Sequence, residues 1–99
     1  MYVSIEKAER MLEVARKVKE LLNADGVEWH YGLERHATAL DTDEDYAIEI
    51  RKKIHNALGV PTSYVRVWRN KFEGGYIMWV AIAYEGDTIY ATVIGKEVE

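Results

Sequence analysis

Tyr76-Ile77-Met78-Trp79-Val80-Ala81-Ile82-Ala83-Tyr84 runs without a single charged residue. A strand with one wet face alternates apolar and polar residues. This one has no polar face, so it belongs in the middle of a sheet, covered on both sides. Gly74-Gly75 before it and Glu85-Gly86 or Gly86-Asp87 after it are placed to make tight hairpin turns. Strand-like runs near 64–72 and 88–95 flank it, so the last third reads as an antiparallel meander. One cover for the central strand can come from the chain's own helices. The other has no obvious source in so short a chain, and that points to a partner.

Upstream, Ser4 is placed as an N-cap for a first helix over 5–23. Ala8, Met11, Leu12, Ala15, Val18 and Leu22 recur at intervals of three and four and form its apolar stripe. Val27, Trp29, Tyr31 and Leu33 alternate with Glu28, His30 and Gly32, the period of a half-buried strand. A second short strand around 36–40 is expected after the turn at 32–35. Thr42-Asp43-Glu44-Asp45 has the form of a capping box with Asp in the Glu position, opening a second helix that ends near Leu58. Gly59 stands where a left-handed C-cap belongs, with Pro61 just beyond. The order α-β(β)-α-β-β-β describes an α+β fold. Two amphipathic helices pack on one face of an antiparallel sheet of four to five strands, within a single domain over 1–99.

The turns determine which residues share a face. Either two-residue turn at Gly86 groups Met78, Val80 and Ile82 with Ile89, Ala91 and Val93 as core, and sends Trp79, Ala81 and Ala83 outward with Thr88, Tyr90 and Thr92. A two-residue turn at Gly74-Gly75 adds Tyr64, Arg66, Trp68 and Phe72 to the outer face. A three-residue turn would send Trp68 into the core, because a one-residue slip inverts every side chain. In the first case Tyr64, Arg66, Trp68, Ile77, Trp79 and Tyr90 form a candidate partner-binding face. Aromatic and Arg anchors around small residues have the character of an interface centre. Closure of that face by the acidic segment 34–45 is the competing expectation.

Composition narrows the class. With 48% hydrophobic and 30% charged residues, the 99-residue chain is globular rather than disordered. Seven Tyr and three Trp against one Phe favour positions with one end wet. The net charge of −4 argues against nucleic acid as the main partner. Zero cysteines exclude disulfides and thiolate metal sites, and fit the cytoplasm. No apolar run reaches the ~18 residues of a membrane span. The charged amphipathic N-terminus is unlike a signal peptide.

No strong catalytic or cofactor motif is present. His30, Glu34 and His36 have metal-ligand chemistry, but their spacing matches no familiar zinc pattern. Ser4 and Ser63 have no base nearby in sequence, and the carboxylates of 41–45 suit a helix N-terminus. The junction from Gly59-Val60-Pro61 to Tyr64-Val65-Arg66-Val67 resembles helix-to-strand junctions of the tautomerase superfamily. That family's N-terminal proline is replaced by Tyr2 here, so the resemblance implies no activity. The expected function is a small protein–protein interaction module: an adaptor, regulator or inhibitor, of the kind found among viral or mobile-element accessory proteins. It would act as a homodimer or on a protein partner, without cofactor or membrane. The alternative is single-stranded nucleic-acid binding by strand 64–72, with Arg66, Arg69 and Lys71 interleaved among Tyr64, Trp68 and Phe72.

Overall fold

The computed structural model describes residues 3–31 and 42–96. It is an α+β fold: α1 (Ile5–Leu22), β1 (Gly26–His30), α2 (Asp45–Leu58), a 3₁₀ turn (Thr62–Tyr64), β2 (Val65–Phe72), β3 (Gly75–Tyr84) and β4 (Asp87–Lys96). The four strands form one antiparallel sheet in the order β1-β4-β3-β2. The uncharged run is β3, an interior strand, as its pattern requires. The second short strand expected near 36–40 lies outside the described residues.

Both helices cover the same face of the sheet, α1 over β1 and β4, α2 over β2. Between them and the sheet lie Met11, Val18, Ala47 and Ile54 against Val65, Val67, Val80, Ile82, Ile89 and Ala91. The Ser4 hydroxyl accepts the Lys7 N–H at 3.1 Å, and Asn23 ends α1 in the left-handed region at φ 49°. The buried stripe of α1 is Met11, Val14, Val18 and Leu22, so Val14 takes the place expected of Leu12. Leu12 is half exposed, because the helix is rolled to seat its stripe over β1 and β4.

The start of α2 also differs from expectation. Its N-cap is Glu44, with no side-chain cap bond. The Thr42 hydroxyl instead accepts the Glu44 N–H at 3.2 Å, a local turn rather than a capping box. Arg51 pins this approach to the sheet, donating to the carbonyls of Thr42 (2.7 Å) and Val65 (3.1 Å). Gly59 closes α2 at φ 71°, as its position implied.

The β2–β3 turn is Glu73-Gly74, with Phe72 opposite Gly75, rather than Gly74-Gly75. Both loops hold two residues, so the faces are unchanged, but each residue's partner shifts by two positions and Trp68 comes opposite Trp79 rather than Ala81. Inside the strand, Gly75 occupies a position with no room for a side chain. A Cβ there would sit 2.3 Å from the Gly95 carbonyl oxygen, which is backbone and cannot swing away. Gly75→Ala should therefore cost about 1–3 kcal/mol, read as a lowered urea midpoint at unchanged slope. Gly26→Ala is the control, since a Cβ there meets nothing within 4 Å.

Candidate functional site

Strand alternation places Arg66, Trp68, Asn70 and Phe72 on the face away from the helices. Ile77, Trp79, Ala81 and Ala83 of β3 join them, with Thr88, Tyr90, Thr92 and Ile94 of β4. Five of the six residues expected at a partner-binding face are thus on one side of the sheet, with Tyr64 in the 3₁₀ turn before β2, and they do not share one environment. Trp68 is only 8% exposed, and its ring stacks with Trp79 at a centroid distance of 6.0 Å and 20° between planes. Ala81, Ala83 and Thr88 are buried too. Tyr90 meets the His30 ring edge-on at 4.9 Å. Arg66 is opposite Ala81 and partly buried. Tyr64 is exposed at one end of the face and stands apart from the rest.

The open part of this face lies at the opposite end. There β1 stops at Gly26, paired with Thr92, and leaves the last residues of β4 without that neighbour. The Asp25 carboxylate accepts the Ile94 N–H at 2.6 Å, closing the edge of β4 with a side chain in place of a strand. Beyond this point Ile94 is 56% and Phe72 50% exposed; Ile77 is half-buried between Ile94 and the exposed Asn70, diagonal to Phe72, with Trp79 in the next row. Phe72 and Ile94 were not among the residues selected from sequence. Each sits at a strand end, where periodicity cannot tell a covered side chain from an open one.

The cationic row expected on 64–72 is divided by the pleat. Arg69 and Lys71 alternate with Trp68, Asn70 and Phe72 and so lie on the helix side of the sheet. The Arg69 guanidinium rests 3.9 Å from the Tyr46 ring centre and 5.2 Å from that of Tyr76, with Glu44 at 3.8 Å. It is a cation–π filler between α2 and β3. Only Arg66 of the three shares a face with Trp68.

For the metal reading, His30 pairs with Glu28 at 3.1 Å, and Glu34 and His36 lie outside the described residues. Among the described residues no three His, Asp or Glu side chains converge. Residues 34–41 of the acidic segment also lie outside the described residues. Residues 42–45 run along the β2 edge, where the Thr42 N–H donates to the Val67 carbonyl, into α2. No described helix is long and apolar enough to cross a membrane. No family model, curated protein or solved structure matches the chain.

Proposed function

We propose that the chain is a protein–protein interaction module that self-associates through the open end of its outer sheet face. The observation that supports this reading is the grouping of Phe72, Ile77, Trp79 and Ile94 at one end of the outer sheet face, bordered by Asn70 and Lys96, with Phe72 and Ile94 half exposed. Branched and aromatic side chains on adjacent strands offer a flat, preorganised surface at low entropic cost. Arg66 lies farther along the same face and suits an interface rim. Regulation or inhibition of another protein would use the same surface. Single-stranded nucleic-acid binding has less to support it, with Trp68 buried and the row of cations divided between two faces.

Light scattering across a concentration series tests the proposal. A mass rising from 11.4 kDa toward twice that value is expected. Ile94→Glu should return the chain to monomer, because it places an unpaired charge in a desolvated contact. Ile94 is exposed, so the substitution spares the core. A wild-type chain that stays monomeric at every concentration removes self-association. A dimer indifferent to Ile94→Glu moves the contact elsewhere.

A further inference from the structure

The second candidate surface is on the opposite edge of the molecule from β2. In the order β1-β4-β3-β2, β1 has a strand on one side only, and among the described residues no strand lies beyond it. Alongside this edge runs the flank of α1. A groove of about 360 Å³ lies between the two elements, lined by Leu12, Ala15, Arg16 and Lys19 of the helix and Gly26 and Val27 of the strand. Leu12, half exposed, is the residue that the roll of α1 takes out of the core. Ile5, 74% exposed, lies seven residues before Leu12 and so stands two turns along the same flank.

Edge strands are usually guarded against added strands by lysines, prolines or bulges. Gly26-Val27-Glu28-Trp29-His30 has neither lysine nor proline; its guards are its five-residue length and Glu28, which by alternation is on the face away from the groove. A groove between a helix and an open strand edge is the geometry in which an extended peptide adds to a sheet. Main-chain hydrogen bonds supply the affinity there, and alternate side chains enter the groove. The chemistry of the groove selects the peptide. Leu12, Ala15 and Val27 give an apolar floor, and among the described residues the charged side chains lining it are the cations Arg16 and Lys19. Residues two apart on an added strand point the same way.

We infer that the groove between α1 and β1 binds an extended acidic peptide segment by strand addition, taking an apolar and an acidic residue spaced two apart. The apolar side chain lies against Leu12 and Val27, and the carboxylate meets Arg16 and Lys19. This surface is separate from the outer face and does not depend on it.

The test pans a phage-displayed library of random eight-residue peptides on the immobilised full chain, then synthesises the enriched peptide. Enrichment of an acidic residue two positions from an apolar one is expected. Binding should fall by at least roughly tenfold in R16Q/K19Q, whose substituted residues are exposed, and be retained in I94E. Peptides N-methylated at alternate residues in the two possible phases supply the second measurement. One phase should lose binding and the other keep it, because only every other N–H of an added strand faces β1. No enriched motif, a basic motif, binding indifferent to R16Q/K19Q, or equal loss in both methylation phases would overturn the inference. A dimer that R16Q/K19Q dissociates would assign the groove to a second copy and overturn it as well.

Discussion

Trp68→Ala is expected to lower the stability of the chain by about 3–5 kcal/mol, the range for removing a buried Trp and leaving a cavity. For a chain of this size that is a fall in Tm of roughly 12 °C or more. Trp68 is on the outer face, where a sequence reading makes it a partner anchor. Within the single chain, however, it is 8% exposed and stacked on Trp79. A docking anchor and a structural residue respond differently to dilution. If Trp68 is buried by its own chain, the loss is the same at low and high protein concentration. If it is buried by a second copy, the loss shrinks as the protein is diluted, since binding contributes to stability by mass action. Thermal melts at two concentrations a hundredfold apart separate the cases. A loss under about 1 kcal/mol would mean an exposed Trp68 and return it to the docking surface. Phe72→Ala, on the same strand and face but 50% exposed, should change stability far less.

The second large effect is at Asp87. Its side chain is 1% exposed and accepts the Trp29 Nε1–H at 3.0 Å, with the Lys7 ammonium at 3.2 Å. Three elements meet in this cluster: the first turn of α1, β1, and the β3–β4 turn, where Glu85 and Gly86 both have positive φ. Removing one partner of a buried ion pair leaves the other charge uncompensated, typically a loss of ~3–5 kcal/mol. Lys7 is about a quarter exposed and Asp87 keeps its bond from Trp29, so Lys7→Met should cost less, about 2–3 kcal/mol. The neighbouring pair Arg10–Glu85 provides the contrast, both side chains being about half exposed. Arg10→Met should stay within about 0.5 kcal/mol of wild type. Urea unfolding of both variants at low and high salt is the check. The Lys7 effect should survive added salt, and an exposed pair is screened. Equal small losses would mean that water reaches Asp87.

The elements themselves were legible in the sequence. Charge-free β3 declared itself central, Ser4 and Gly59 marked helix ends, and hairpin parity placed the two faces of the sheet. The register did not follow as directly. Phe72-Glu73-Gly74-Gly75-Tyr76 accommodates two turns of equal length; the structure takes Glu73-Gly74, with Gly74 at φ 87° and Gly75 at a strand position where a Cβ would strike the Gly95 carbonyl. That two-residue change of partner brings Trp68 opposite Trp79. Hairpin parity therefore identifies the outer face, but not which of its residues are open: Trp68 is buried there, and Phe72 and Ile94 are exposed.

What the sequence determined by itself is everything local. Periods of two and of three to four set the strands and helices, and turn residues set the parity of the sheet, because these depend on neighbours along the chain. Only the tertiary structure decided how α1 is rolled, which end of the outer face is open, and where the cations go. Leu12 belonged to the apolar stripe on spacing alone, yet the packing of α1 over β1 and β4 turns it to the groove at the sheet edge. Arg69 read as one of three cations in a row, yet the pleat turns it to Tyr46. Asp87 read as a turn residue, yet Lys7 and Trp29, distant in sequence, make it a buried anion. In each case the deciding contact joins residues that no local pattern connects, and burial is a property of the assembled layers rather than of the strand or helix that carries the residue.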